Sequence, residues 1–218
     1  MSMLRVSHLP RRGAPQTPAI PKIFHQVWLG SKPFPADAQA FQDTWRVLHP
    51  DWEWRLWTDD DLPSLQNQDA LAQSFHLAMK SDIVRYEALC RCGGVYMDTD
   101  VECLRRIDPL LDGVTAFAGW ESGASLCNAI LGGIPEHPLF RRLVDELPES
   151  FRRNKTNLTI AGPLYLTDLA TTTPGVTLFA PPVLYPYHWT EMERRHETFP
   201  HAFTAHHWSG SWVEKAAA

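Results

Sequence analysis

Apolar residues in this chain fall into short strand-length runs separated by stretches of helical period, and that alternation leaves few architectures open. Ile20 to Leu29 is rich in Ile, Phe, Val and Trp and closes at Gly30 and Pro33, which predicts a first core strand. Phe41, Trp45 and Leu48 recur at spacings of four and three, an amphipathic helix ended by His49-Pro50. Glu53 to Trp57 predicts a second strand that leaves into the polar turn Thr58-Asp59-Asp60-Asp61. A helical stretch covers Ala70 to Met79, and Ser81 is placed to cap a new helix that runs to Cys92 and stops at Gly93-Gly94. Val95-Tyr96-Met97 enters a short buried strand, with Asp98-Thr99-Asp100 where it ends. Ala116 to Trp120, Cys127 to Leu131 and Val176 to Ala180 predict further strands, and Pro138 to Leu147 and Gly162 to Ala170 further helices. The series predicts an α/β domain with a mixed, mostly parallel central sheet flanked by helices. In such sheets ligands sit at the carboxyl ends of the strands.

A chain of 218 residues is long enough to bury a core and fits one domain, here residues 20–212, with a flexible arm over 1–19 and a tail over 213–218. The net charge of -5, with arginines scattered in pairs rather than gathered, excludes nucleic acid as the expected partner. No stretch approaches the length of a spanning helix, and the Arg-containing start lacks the apolar segment of a signal peptide. The expected location is cytoplasmic, with peripheral membrane contact through the arm left open. Cys90, Cys92, Cys103 and Cys127 lack the spacing of a zinc site and read as small core residues in a reducing compartment.

Asp98 and Asp100 flank one residue at the tip of an apolar run, so in extended geometry both carboxylates leave the same side of the chain. They can share a hard divalent cation, which takes oxygen ligands and lets substrate phosphates complete its shell. Taken alone, two acids at a strand end are also an ordinary turn and helix cap. Asp82 and Arg85, three apart, share a helix face and could be no more than a surface ion pair.

The wider context narrows these options. Ser81-Asp82-Ile83-Val84-Arg85-Tyr86 followed by Gly93-Gly94-Val95-Tyr96-Met97-Asp98-Thr99-Asp100 resembles the DXD glycosyltransferases of the sugar-binding-region type, a family-32-like group. That group includes yeast-type initiating mannosyltransferases, bacterial capsular polysaccharide enzymes and, more distantly, the clostridial glucosylating toxins. Ile20-Pro21-Lys22-Ile23-Phe24-His25-Gln26-Val27-Trp28, Leu56-Trp57-Thr58-Asp59 and Ala205-His206-His207-Trp208-Ser209-Gly210-Ser211-Trp212 resemble its opening and closing blocks, in the same order.

The resemblance implies a GT-A-like fold and a metal-dependent, retaining transfer of a sugar from a UDP- or GDP-linked donor to a glycan, lipid-linked or protein acceptor, in polysaccharide or glycan biosynthesis. It implies Asp98 at the ribose or metal, Asp100 as principal ligand of Mn²⁺ or Mg²⁺, and His206 completing the site, with His207 second. It places Asp82 and Arg85, on the helix Ser81 begins, against the donor sugar and phosphates, beside Tyr96 and Trp208. Trp28 is a candidate to stack on the base, or plain core; Asp61 is a candidate base or ribose contact; Asn128 hydrogen-bonds a sugar or is a buried amide satisfied by backbone. No carboxylate identifies itself as a covalent nucleophile, which favours front-side attack.

Two rivals remain. A haloacid-dehalogenase-type phosphatase also carries D-x-D after an apolar strand, but wants Thr or Val where Glu102 stands. A catalytically silent nucleotide-sugar-binding module would keep the fold without turnover.

Overall fold

A computed structural model describes residues 19–74 and 76–210. The expected arm before residue 19, Ser211 and Trp212 of the closing block, and the tail over 213–218 lie outside the described residues. The strands are β1 (Ile23–Val27), β2 (Glu53–Trp57), β3 (Gly94–Met97), β4 (Val101–Cys103), β5 (Ala116–Trp120), β6 (Leu126–Gly133), β7 (Val176–Phe179) and β8 (Thr204–His206). The helices are α1 (Ala36–Leu48), α2 (Gln68–Gln73), α3 (Leu77–Cys92), α4 (Asp108–Leu111), α5 (Pro138–Asp145), α6 (Leu147–Arg153), α7 (Asn157–Ile160), α8 (Pro163–Thr172) and α9 (Pro181–Leu184), with a 3₁₀ stretch over Trp189–His196.

Six strands form one sheet in the order β2-β1-β3-β6-β5-β7. The β2, β1 and β3 pairings are parallel, as is β5 with β7, while β6 pairs antiparallel with both β3 and β5. Strand β6 alone therefore runs against the other five, which makes the sheet mixed and mostly parallel. Strands β4 and β8 form a separate antiparallel ribbon.

The sheet divides two apolar layers. Ile83, Leu89, Tyr96, Leu131, Phe140 and Leu166 fill the side covered by α3, α5 and α8, and Phe24, Trp45, Val95, Met97, Phe117 and Tyr185 fill the other. Strand β3 shows the strand period directly: Val95 and Met97 face one layer and Tyr96 the other. On α1 the buried residues are Ala38, Gln42 and Trp45, spaced four and three. Fully buried Trp45 donates its indole N–H to the Val101 carbonyl at 2.8 Å, which pins α1 to β4.

Three expectations need correction. Ser81 caps nothing: α3 begins four residues earlier, at Leu77 after His76, and Ser81 lies inside it. The chain breaks instead at Ser74, whose hydroxyl bonds the Ala70 carbonyl and whose extended backbone ends α2, so Ala70 to Met79 is not one helix. The stretch from Pro138 to Leu147 divides at Glu146, where Pro148 enters the first turn of α6 and cannot donate to a continuing helix. Gly93 and Gly94 turn α3 into β3 with φ of 62° and 97°, and a Cβ on Gly94 would lie 2.5 Å from the Ile23 carbonyl oxygen. No helix among the described residues is long and apolar enough to cross a membrane.

Candidate active site at the carboxyl edge of the sheet

Because β1, β2 and β3 are parallel, the residues that follow them, Trp28, Thr58 to Asp61 and Asp98, emerge on one edge. Antiparallel β6 starts there, bringing Asn128. The Asp98 N–H donates to the Ala129 carbonyl at 2.7 Å, carrying the pairing one residue past β3, and Val101 N–H closes a turn on the Asp98 carbonyl at 3.2 Å. That turn presents both acids.

Strand β8 supplies the rest. Its register sets His206 opposite Val101, so His206 lands beside Asp100, with Nε2 3.2 Å from Oδ1. The His207 N–H donates to the Asp100 carbonyl at 2.9 Å and the Ser209 N–H to Asp100 Oδ2 at 2.8 Å. Between them Trp208 takes a φ of 50°, a left-handed conformation that costs a bulky residue on the order of 1 kcal/mol or more. Its ring lies 3.9 Å, centroid to centroid, over His206. The His207 side chain goes elsewhere, bonded to Glu102 at 2.8 Å and stacked on Phe41.

Asp98, Asp100 and His206 each offer one ligand atom, all within 4.8 Å of one another. Adjacent ligands on an octahedral ion at about 2.1 Å lie about 3 Å apart, close to the spacing of His206 and Asp100. Two carboxylates and an imidazole suit a hard divalent ion, so the residues present fit the metal the motif implies.

Behind the triad Arg85 is buried among acids. Nη2 lies 3.1 Å from Asp98 and 3.3 Å from Asp82, Nη1 donates to the Asn128 carbonyl, and the guanidinium sits 4.3 Å over the Tyr96 ring. Asp82 also accepts from Asn128 Nδ2 at 2.8 Å, and Asp98 from the Tyr96 hydroxyl at 2.6 Å. A buried cation is tolerated because it is paired on every side.

Burial pushes the Asp82 carboxyl up to about 6 against the pull of Arg85, and raises Asp98 in the same way. Burial opposes ionisation of Asp100 too, but the His206 imidazolium and the Ser209 N–H outweigh it and hold Asp100 below the usual carboxylate range. His206 is raised correspondingly: burial disfavours its charge and Asp100 overcomes that.

The structure brings Asp82, Arg85, Tyr96, Asp98, Asp100, Asn128, His206 and Trp208 together. Ser81 contributes its carbonyl, 3.4 Å from Arg85 Nε. Trp28 and Asp61 share the edge but not the cluster: the Trp28 indole donates to the Lys32 carbonyl, and exposed Asp61 accepts from Thr58. Sequence reasoning missed Gln26, fully buried, which donates to the Asp98 carbonyl at 3.3 Å and accepts from Gln42 at 2.7 Å. A lone amide in an apolar strand was its signal, since buried polar groups need partners. Tyr86, bonded to Asn128 and to the Ala161 carbonyl, was missed as well, and its sequence context reads as plain helix core.

Residues 35–116 match the family described as "Glycosyltransferase sugar-binding region containing DXD motif". Inositol phosphoceramide mannosyltransferase 3 of Schizosaccharomyces pombe is 34% identical over 164 residues, 69% of this chain and 45% of that protein. Mannosyl phosphorylinositol ceramide synthase CSH1 of Saccharomyces cerevisiae is 31% identical over 158 residues, 67% of this chain and 41% of that protein. The chain thus spans less than half the length of either relative. Among solved structures, the PaToxG glycosyltransferase superposes with a TM-score of 0.59 at 18% identity over 69% of both chains. The galactosyltransferase LgtC superposes with a TM-score of 0.53 at 12% identity over 87% of this chain and 88% of its own. Those two likenesses bear on the fold, which is that of GT-A glycosyltransferases. On its matched segment, its relatives and its fold, the chain carries the sugar-binding region of the DXD-containing glycosyltransferases.

Proposed function

We propose that this protein transfers a sugar, with retention of configuration, from a nucleoside-diphosphate sugar to a hydroxyl of a glycan, lipid-linked or protein acceptor. The observation that carries the reading is the convergence of Asp98 and Asp100, at mid-chain, with His206, near the end of the described residues. A bound Mn²⁺ or Mg²⁺ supplies Lewis-acid neutralisation of the diphosphate leaving group, a contribution of several kcal/mol. Asp98, Asp100 and His206 hold that ion. Arg85, fixed by Asp82 and Asp98, adds a second positive charge behind the phosphates, and Asp82 and Asn128 offer the donor sugar hydrogen-bonding groups already oriented by one another. Trp28 and Asp61, farther along the edge, meet the base and ribose. The relatives' names specify mannosyl transfer onto inositol phosphoceramide, which favours mannose as the sugar here.

The phosphatase alternative needs an Asp98 free to attack. Here Asp98 is tied to Arg85 and the Tyr96 hydroxyl, which favours a binding role. No glycosyl-enzyme step is required, and we favour front-side attack with the leaving phosphate accepting the acceptor proton.

Thermal unfolding with a panel of GDP- and UDP-sugars, with and without Mn²⁺, tests the reading. A donor at about a hundred times its dissociation constant should add roughly 2.7 kcal/mol. The expected result is a metal-dependent rise in Tm with one donor that Asp100→Ala abolishes. A protein that no nucleotide sugar stabilises would overturn the proposal.

A further inference from the structure

Two strand steps from Asp98, on the same edge, stands a group that the donor chemistry does not use. Glu121 follows β5, which runs in the same direction as β3, with β6 between them. At about 4.8 Å per strand, its backbone lies on the order of 10 Å from that of Asp98. The order along the edge is Asp98, then Asn128, then Glu121, so Asn128 stands between Glu121 and Asp98 along the sheet.

Glu121 is held in place. Its N–H donates to the Ser125 carbonyl at 3.0 Å, its side chain is only 13% exposed, and Oε1 lies 3.0 Å from His188 Nε2. His188 is fixed in turn. Nδ1 lies 2.8 Å from the Thr190 hydroxyl and accepts from the Thr190 N–H, which leaves the proton on Nε2, facing Glu121. Its backbone N–H donates to Glu191 at 3.0 Å.

Two indoles flank this pair. The Trp208 ring, which covers His206, lies 6.0 Å from the His188 ring, and the Trp189 ring lies 5.2 Å from it. Trp189 is 57% exposed although it sits beside a pair built of hydrogen bonds. Indole stays in water at a cost unless something covers it, and an apolar face joined to a polar handle suits ligands of mixed character. A ring carrying C–H groups on its faces and hydroxyls on its rim has that character. The C–H face stacks on indole, and a rigid carboxylate accepts from vicinal hydroxyls.

We propose that Glu121, His188 and Trp189, with Trp208 between them and the metal ligands, form the acceptor subsite, and that its ligand is a cyclic polyol, a sugar or an inositol ring. The inference rests on the transferase reading for its role in transfer. Glu121 grips the non-reacting hydroxyls, His188 fixes the carboxylate's direction, and Trp189 supports the ring face.

The test begins with binding, which requires no turnover. Saturation-transfer NMR with methyl α-mannoside and with myo-inositol, in the presence of GDP and Mn²⁺, is run on the wild type, Trp189→Ala and Glu121→Gln. The expected result is binding to the wild type that weakens by about tenfold or more in either variant. Absence of binding to the wild type, or equal affinity in all three proteins, overturns the subsite. The second measurement partitions donor turnover between water and methyl α-mannoside. A transfer-to-hydrolysis ratio that falls at least about tenfold in the variants supports the subsite, and an unchanged ratio overturns it. A wild type that binds the polyol but turns over no donor leaves the subsite standing and sinks the transferase reading instead.

Discussion

Among single residues, His25 shows how a buried titratable group sets a pH limit. It is fully buried in β1, accepts the Trp57 indole N–H on Nδ1 at 3.1 Å and donates from Nε2 to the Gly93 carbonyl at 2.8 Å. Both nitrogens are committed to the neutral form, and burial lowers its pKa to about 4 from 6.5. Below pH 6.5 the unfolded chain therefore takes up a proton that the folded one refuses until about pH 4. Stability falls as pH drops through that window, by up to about 3 kcal/mol from this residue. Urea unfolding at about pH 7 and about pH 4.5 should show a larger loss in the wild type than in His25→Gln, which keeps a donor and an acceptor without titrating. Equal losses would remove His25 as the cause. The residue lies in the opening block that resembles the family, yet nothing in the sequence marked it as structural, because its partners are an indole and a carbonyl distant along the chain.

At the level of elements, legibility followed periodicity. The span of β2 matches its expected bounds and β3 begins one residue early, because each is an apolar run bounded by turn residues. The helix break at Ser74 and the ribbon of β4 and β8 were not legible. Each strand of the ribbon is three residues long, too short for alternation to register, and their pairing depends on partners a hundred residues apart. His206 could be named from a short motif, but only that pairing decides which of two adjacent histidines faces Asp100. The ribbon depends on Trp45, whose indole N–H satisfies the Val101 carbonyl. Trp45→Phe preserves most of the packing and strands a buried acceptor, so it should cost about 1–3 kcal/mol of stability. It should also weaken Mn²⁺ binding, because the carbonyl it frees belongs to the residue after Asp100. Calorimetric titration of the variant with Mn²⁺ checks the second effect; wild-type affinity would show that the ribbon keeps its place without the indole.

For the molecule as a whole, the one antiparallel strand, β6, is what sets a residue of its own between the edge residues of β3 and β5. It brings Asn128 to the edge where β3 delivers Asp98 and leaves β5 to present Glu121 beyond it. The α/β class and the edge follow from the alternation of elements, whereas the reversal of β6 has no signature in its own residues. Strand β8 joins the site from outside the six-stranded sheet, paired with β4. Hydrogen exchange should show that Mn²⁺ with a nucleoside diphosphate slows amides 98–101 and 204–209 together, with little change in β1 or β3. Protection confined to one segment would mean that the two are not joined through the ligand. If they are, the turn at Asp98 and the strand at His206 are the two halves of a clasp that already meets without cargo and that cargo tightens. An idle copy and a loaded one would then share one shape and differ in how firmly that seam is held.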